Sequence, residues 1–265
     1  MQQQARPIII FDSGIGGLSI YKDVKQMLPG LKVIYCADNM GFPYGSKPEK
    51  DVADRTSYYL RKLTEHYNPL LAIIACNTAS TISLPRVRQE LNIPIVGVVP
   101  AIKSASEYSK NRCFGLLATP GTIARKYTAS LIEDFANDCH VIPVGSSELV
   151  HMAEQYFGGE KIEPELLQTI IEPFFSEKLL PDSIVLGCTH FPLLKHLLQS
   201  VAPVKVQWID SGAAIARRVQ SLLGGAELNS INCEESLFVY TVEFPYAKTL
   251  FVTLQAMGFS DFVLL

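Results

Sequence analysis

Short runs of apolar residues alternate along the chain with longer segments whose apolar positions recur at helical spacing. The runs "RPIIIFDSG", "LLAIIAC" and "DSIVLGC" are each bounded by polar or turn residues, as buried strands are. Between such runs, segments such as residues 47–67 place polar side chains on one face of a helix. Alternation of strand and helix is typical of parallel sheets with crossover helices, so the pattern predicts an α/β fold.

Two such series follow one another. Residues 1–98 contain the first and residues 99–209 the second, and each has a strand that leads into a glycine-containing loop. The final segment, residues 210–265, ends in the short strand "FVLL", which needs a sheet to join, so we assign it to the first lobe. The sequence thus predicts two similar lobes, each a mostly parallel sheet flanked by helices, with the active site in the cleft between them.

Composition narrows the class of protein. The chain has 265 residues, of which 48% are hydrophobic and 18% charged, enough to bury a substantial core. A net charge of −3 without a basic run gives no electrostatic footprint for nucleic acid. The apolar stretches are shorter than the roughly 18 residues of a membrane span, and the N-terminus lacks the features of a signal peptide. We therefore expect a cytoplasmic protein that does not act in a membrane.

Six cysteines make thiol chemistry the main question. Without a secretory signal, structural disulfides are not expected, and the lack of a C-x2-C pair argues against structural zinc. We interpret Cys36 as packing, and Cys113, Cys139 and Cys233 as small buried hydrophobic residues.

Cys76 and Cys188 differ from the rest because each ends a predicted strand and precedes a predicted helix. At a helix start, the dipole and nearby N–H donors favour the thiolate, and we expect a pKa near neutrality. His190, two residues beyond Cys188, is placed to exchange a proton with that thiol or with a substrate. Ligands bind at strand ends in open parallel sheets. The other polar residues at such ends are Asp12, Ser13, Asp38, Asn77 and Thr119.

The stretch "DSGIGGLS" (residues 12–19) suits a small zwitterion better than a nucleotide. It departs from the G-x-G-x-x-G pattern because Ser19 stands where the last glycine would be. The carboxylate of Asp12 would also repel a pyrophosphate at the N-terminus of the next helix. The same carboxylate can meet an ammonium group, while backbone N–H groups and hydroxyls bind a carboxylate.

Two thiols on opposite walls of a cleft suggest proton transfer at carbon. A racemase or epimerase removes a proton from one face of a carbon atom and returns one to the other, which two opposed bases can do. A hydrolase would need only one thiol with its histidine. A two-lobed cleft can also belong to a non-catalytic amino-acid-binding protein. On the residues alone, these alternatives stay open.

Four stretches, "FDSGIGGLS", "ADNMGFPYGSK", "IIACNTAS" and "VLGCTHFPLL", resemble the glutamate racemases, cofactor-independent members of the aspartate/glutamate racemase superfamily. The resemblance covers essentially the whole chain in length and motif order. It implies interconversion of L- and D-glutamate, which supplies D-glutamate for bacterial peptidoglycan and so serves cell-wall biogenesis and cell shape. It also implies that neither pyridoxal phosphate nor a metal takes part. A racemase of another amino acid, such as aspartate, is the alternative.

The resemblance further implies roles for single residues. Cys76 would take the α-proton of D-glutamate and Cys188 that of L-glutamate. Asp12 would support the first thiol near the substrate ammonium, and His190 would assist the second. The implied substrate contacts are Asp12, Ser13, Asp38, Tyr44, Gly45, Asn77, Thr78, Thr189 and His190.

One segment, "GSSELVHMAEQYFGGE" (residues 145–160), departs from the family, many of whose members carry a Cys-Pro-rich segment before a supporting glutamate. We align Glu154 with that glutamate, as support for Cys188, and Glu148 is the alternative. The segment resembles a Gram-negative branch, some of whose members respond to a UDP-linked peptidoglycan precursor. Such a precursor as activator, and a homodimer, are further expectations.

Overall fold

The computed structural model describes residues 6–228 and 235–265, and within them the chain forms ten strands. They are β1 (Ile8–Asp12), β2 (Val33–Ala37), β3 (Ala72–Ile74), β4 (Ile95–Gly97), β5 (Cys113–Ala118), β6 (His140–Gly145), β7 (Ser183–Leu186), β8 (Gln207–Ile209), β9 (Ser236–Tyr240) and β10 (Phe259–Leu264). Cys233, which we interpret as a buried hydrophobic residue, lies outside the described residues.

Six strands form the first sheet, in the order β10-β9-β2-β1-β3-β4, and every neighbouring pair is parallel. The side chains of β1 alternate between two cores: Ile8 and Ile10 pack on one face, and Ile9 and Phe11 on the other. Because both faces are covered, the strand is apolar throughout instead of alternating with polar residues.

The other four strands form the second sheet, in the order β6-β5-β7-β8, again with parallel pairs. A core lies on each face here too, with Leu117 and Ile184 in one and Phe114, Leu116 and Val185 in the other. The predicted α/β architecture of two parallel sheets flanked by helices is confirmed.

The first sheet draws strands from both ends of the chain, since β1–β4 precede the strands of the second sheet and β9 and β10 follow them. Membership of a sheet does not by itself define a unit that folds alone. The division into lobes at residues 98 and 210 therefore stays a prediction.

Eleven α-helices flank the sheets in the described part of the chain. They are α1 (Leu18–Met27), α2 (Glu49–Tyr67), α3 (Asn77–Glu90), α4 (Ile102–Tyr108), α5 (Pro120–Ile123), α6 (Lys126–Ala136), α7 (Glu148–Phe157), α8 (Pro164–Ile171), α9 (Lys195–Val201), α10 (Gly212–Leu228) and α11 (Ala247–Ala256). None of these helices combines the length and apolar character needed to cross a membrane.

Helix α2 shows how local sequence sets these boundaries. It begins after Pro48, with Glu49 and Asp51 in its first turn, where carboxylates complement the helix dipole. It ends at Asn68, which adopts the left-handed conformation at φ 44°. Its apolar residues pack with those of α3 on the face of the first sheet that contains Phe11.

The cysteines outside the strand ends are placed as follows. Cys36 and Cys113 are buried, as the sequence predicts, whereas Cys139 is only half-buried. Cys139 immediately precedes β6, the edge strand of the second sheet, so one side of it is open to solvent. The interpretation of Cys139 as a buried residue is therefore wrong.

Parallel strands present their carboxyl ends at one edge of a sheet. The first sheet thus gathers Asp12 and Cys76, which end or follow β1 and β3. The second gathers Thr119 and Cys188, which follow β5 and β7.

Candidate active site

A cavity of about 90 Å³ lies where the carboxyl ends of the two sheets meet. A volume of this size suits a small amino acid and is too little for a nucleotide. Its walls are formed by Ser13, Pro43, Tyr44, Gly45, Ser46, Cys76, Asn77, Thr78, Thr119, Thr122, Ser147, Val150, His151, Cys188, Thr189 and His190.

The cavity brings together most of the residues predicted from the sequence. Both strand-end cysteines line it. So do Ser13, Tyr44, Gly45, Asn77, Thr78, Thr189 and His190, and also Thr119. The three predicted carboxylates, Asp12, Asp38 and Glu154, do not form its wall but are buried around it.

Cys76 caps the N-terminus of α3. Its Sγ accepts a hydrogen bond from the N–H of Ala79 at 3.5 Å and lies 3.9 Å from the hydroxyl of Ser13. These donors favour the thiolate, but the residue is only 7% exposed. Burial and the nearby charge of Asp12 outweigh them and raise the pKa of Cys76 well above its ordinary value. The expectation of a near-neutral pKa is wrong for Cys76, which is held as a thiol.

Asp12, the last residue of β1, is completely buried. It accepts a hydrogen bond from the N–H of Gly14 at 3.1 Å, and the hydroxyl of Thr189 donates to it at 3.4 Å. Burial raises the pKa of Asp12 to about 6, although the neighbouring His190 acts in the opposite direction. Both protonation states are thus accessible near neutrality, and an ammonium group beside Asp12 would favour the carboxylate.

Cys188 has a titratable partner of its own. Its Sγ lies 3.8 Å from Nδ1 of His190, whose Nε2 lies 3.0 Å from Oε1 of Glu154 on α7. Glu154 is almost fully buried, whereas Glu148, the first residue of α7, is exposed to solvent. Of the two glutamates that the sequence left open, Glu154 is the one that contacts the Cys188–His190 pair.

His190 is almost fully buried, and burial alone would lower the pKa of its imidazole. Hydrogen bonds to Cys188 and Glu154, together with the charges of Cys188 and Asp12, reverse that effect and raise the pKa well above its usual value of 6.5. The imidazole is thus held as a cation between Sγ of Cys188 and the carboxylate of Glu154.

Two glycines in the loop after β1 allow the His190–Glu154 pair to lie against the first sheet. A Cβ at Gly14 would overlap the carboxylate of Glu154, and one at Gly16 would overlap the imidazole of His190. Between them, the N–H of Ile15 donates to Oε1 of Glu154 at 2.9 Å. Because Gly14 and Gly16 have no side chain, Glu154 and His190 can approach this loop closely.

Asp38 belongs to a buried network that orients Tyr44. Arg55 donates to both oxygens of Asp38 at 2.6 Å, and the hydroxyl of Tyr44 donates to Oδ2 at 2.5 Å. Thr241, which follows β9, donates to Oδ1 at 3.0 Å. The structure thus places Asp38 behind Tyr44, with donors from three side chains on its oxygens, away from the cavity wall.

Six lining residues did not emerge from the sequence: Pro43, Ser46, Thr122, Ser147, Val150 and His151. The first two flank Tyr44 and Gly45. Ser147, Val150, His151 and Glu154 fall at helical spacing on one face of α7 and the residue before it. Once Glu154 is aligned with the family, this helical spacing is enough to predict Ser147, Val150 and His151 as neighbours in the site.

The cavity wall offers hydroxyl, amide, thiol and imidazole groups, and none of its residues is Lys or Arg. Nδ2 of Asn77 is buried without a hydrogen-bond partner among the described residues, so it is a donor suited to a bound carboxylate. Within residues 6–228 and 235–265, no group of three or more His, Cys, Asp or Glu side chains is arranged to hold a metal ion.

The sequence profile of the Asp/Glu/Hydantoin racemase family matches residues 9–219, which include both strand-end cysteines. The chain belongs to this racemase family. It is 44% identical over 257 residues to the glutamate racemase of Escherichia coli O139:H28, covering 97% of this chain and 90% of that protein. The resemblance drawn from the four sequence stretches is confirmed.

Solved structures in the racemase family share the architecture. Escherichia coli glutamate racemase in complex with L-glutamate and the activator UDP-MurNAc-Ala has 42% sequence identity and a TM-score of 0.91, covering 98% of both chains. The Francisella tularensis glutamate racemase in complex with D-glutamate has 25% identity and a TM-score of 0.80, covering 99% of this chain and 98% of that one.

Proposed function

We propose that the chain is a glutamate racemase, an isomerase that interconverts L- and D-glutamate by proton transfer at Cα between two cysteines. The observation that carries this proposal is that Cys76 and Cys188 line one cavity, each following a strand of a different sheet. Two acid–base groups on separate walls can act on opposite faces of one carbon atom. Similarity to proteins named glutamate racemase supports glutamate as the substrate.

The polar groups around the cavity suit a zwitterion. In the proposed complex the ammonium group of glutamate lies near Asp12 and favours its carboxylate form. The buried amide of Asn77 and the hydroxyls of Thr78 and Thr189 supply donors for a carboxylate. Tyr44, oriented by its hydrogen bond to Asp38, completes the wall.

In the proposed cycle, one cysteine starts as the thiolate that removes a proton and the other as the thiol that supplies one. With L-glutamate, the thiolate of Cys188, stabilised by the cationic His190, removes the α-proton, and the thiol of Cys76 delivers a proton to the opposite face to give D-glutamate. Cys76 is then a thiolate and Cys188 a thiol, which is the form that converts D-glutamate back. Proton exchange with solvent restores the starting state.

The α-proton is weakly acidic because it lies beside a carboxylate, and this sets the main barrier. Donors on that carboxylate take up the negative charge that develops as the proton leaves. With Cys76 7% and Cys188 9% exposed, the site also excludes most water, which strengthens these interactions.

We propose that the reaction uses neither pyridoxal phosphate nor a metal ion. The two thiols, with Asp12 and the His190–Glu154 pair, provide the required proton transfers. None of the cavity-lining residues is a lysine that could form a Schiff base.

The D-glutamate would serve peptidoglycan synthesis in the bacterial cytoplasm, and so the cell wall and cell shape. The Escherichia coli structure contains UDP-MurNAc-Ala as an activator. We extend this to the present chain and expect the compound to raise its turnover, measured as initial rate with and without it. A homodimer stays a prediction from the resemblance.

Circular dichroism of L-glutamate, D-glutamate and both aspartates, with purified protein and no added cofactor, tests the proposal. We expect the signal of either glutamate to decay to zero while both aspartates keep theirs. Decay with aspartate alone would assign a different racemase. Binding of glutamate without any decay would identify a binding protein, and release of ammonia would indicate other chemistry.

A further inference from the structure

Tyr246 contacts the Glu154–His190 pair although it lies far from both residues in the sequence. It immediately precedes α11, and its hydroxyl donates to Oε2 of Glu154 at 2.6 Å. Neither its position nor its neighbours in the sequence mark it as a site residue, and it does not line the cavity.

The surroundings of Tyr246 fix the direction of its hydroxyl. Its ring lies over Gly158, where a Cβ would come within 2.8 Å of Cγ of the ring. Glu154 and Gly158 are four residues apart and so share one face of the helix. The ring of Phe244 also packs against that of Tyr246, with ring centroids 5.6 Å apart. Helix α7 thus provides both the acceptor and the space that the phenol needs.

The carboxylate of Glu154 is held through both of its oxygens. Oε1 accepts from the N–H of Ile15 at 2.9 Å and lies 3.0 Å from Nε2 of His190, while Oε2 accepts from Tyr246. The Tyr246 bond fixes the rotation of the carboxylate, so that Oε1 stays directed at the imidazole.

We infer that Tyr246 is a positioning residue whose hydroxyl holds the Glu154 carboxylate against His190 and thereby supports proton transfer at Cys188. This inference rests on the proposed racemase function. Without the phenol, Oε2 is left buried without this donor, the carboxylate turns more freely, and the imidazolium loses part of its support.

Among the described residues, the titratable groups around Glu154 and His190 are Asp12, Tyr35, His151, Cys188 and Tyr246, and Glu160 lies near the phenol of Tyr246. Replacing Tyr246 by Phe keeps all of these except the phenol. A change in pH dependence in that variant therefore reports on the Glu154–His190–Cys188 set.

The thermodynamics of racemisation limits which kinetic measurement can detect a defect at Cys188. The equilibrium constant between enantiomers is one, so kcat/KM must be equal in the two directions and cannot show which half of the site is impaired. A primary isotope effect can show it, because a slower proton transfer at Cys188 makes removal of the α-hydrogen of L-glutamate more rate-limiting. The isotope effect with α-deuterated L-glutamate should then rise more than that with α-deuterated D-glutamate.

The test compares Tyr246→Phe with Tyr240→Phe. Tyr240 belongs to the same aromatic cluster, and its hydroxyl donates to Glu243 at 3.2 Å, so the control removes a phenolic hydroxyl without touching Glu154. For Tyr246→Phe we expect kcat about three- to tenfold lower and the alkaline limb of its pH profile moved about half a unit to one unit toward acid, since one hydrogen bond is lost. Tyr240→Phe should match the wild type in both.

Gly158→Ala provides a second approach, because the added Cβ displaces the ring while leaving the phenol present. It should reproduce the pH shift and the unequal isotope effects. A uniform loss of kcat with unchanged pH profile and isotope effects in both variants would overturn the inference, as that is the signature of altered packing. If the wild type itself fails to racemise glutamate, the proposed function is what fails.

Discussion

Cys76 and Cys188 occupy equivalent places at the ends of parallel strands, yet their surroundings differ in kind. Cys76 is surrounded by a backbone N–H, the hydroxyl of Ser13 and a buried acid, and burial keeps it a thiol. Cys188 adjoins an imidazole that is tied to a buried carboxylate. One thiol is therefore kept protonated by burial, and the other lies beside a buried histidine–glutamate pair.

Equivalent topology therefore does not impose equivalent proton chemistry. The two sheets place a thiol at matching strand ends, but their surroundings come from different elements. Ser13, in the loop after β1, lies beside Cys76, whereas Cys188 adjoins His190, which is bound in turn by Glu154 of helix α7. Substitutions in each half of the site test this asymmetry.

Replacing either cysteine by serine should have the largest effect. We expect Cys76→Ser and Cys188→Ser each to lower racemisation by about 10³-fold or more, because a hydroxyl is a far weaker acid than a thiol and cannot cycle near neutral pH. Initial rates from circular dichroism measure the loss. Cys139→Ser, at a half-buried cysteine outside the site, is the control and should keep its activity. Near-normal turnover by either site variant would remove the two-base mechanism.

Asp12→Asn should lower activity by about 10²-fold, since it removes the charge opposite the substrate ammonium. The same change should also stabilise the fold at alkaline pH. Burial raises the pKa of Asp12 from 3.8 to about 6, so the folded protein keeps a proton that the unfolded chain has already lost. Stability from this group is full below about pH 4 and is lost as the pH rises through about 6.

At pH 8 we therefore expect Asp12→Asn to unfold with a free energy about 3 kcal/mol higher than the wild type, from about two pKa units at about 1.4 kcal/mol each. Urea denaturation at pH 8 and pH 4 measures it, and the gain should vanish at the lower pH. An equal change at both pH values would mean that the acid is not held neutral by burial.

Glu154→Gln should have a smaller effect, lowering kcat about ten- to a hundredfold, because His190 loses a charged hydrogen-bond partner. The alkaline limb of the pH profile should move toward acid as the raised pKa of His190 falls. Glu148→Gln, a neutralisation at the exposed start of the same helix, should leave both unchanged. Equal losses in the two variants would show that only the charge of α7 matters.

The sequence predicts those parts of the molecule that depend on local pattern. Apolar runs mark the buried strands, and the polar residue after each run marks the sheet edge, so Asp12, Cys76 and Cys188 could be found without coordinates. The choice of Glu154 over Glu148 needed the structure, because it depends on how α7 is rotated about its axis.

Other features depend on contacts between residues far apart in the chain. Asp38 meets Thr241 about 200 positions away, and Glu154 meets Tyr246 across 92 positions. The protonation of Cys76 is a further case: its place at a helix start is visible in the sequence, but the burial that outweighs the helix donors comes from the assembled fold.

If each thiol serves one enantiomer, isotope exchange in D2O with single-cysteine variants will show it. With Cys76→Ala, only Cys188 remains, so the α-proton of L-glutamate should exchange slowly for deuterium while D-glutamate keeps its proton. Cys188→Ala should show the reverse, and neither variant should racemise. Proton NMR at Cα follows both reactions. Exchange of both enantiomers by one single variant, or racemisation by either, would rule out one thiol per enantiomer.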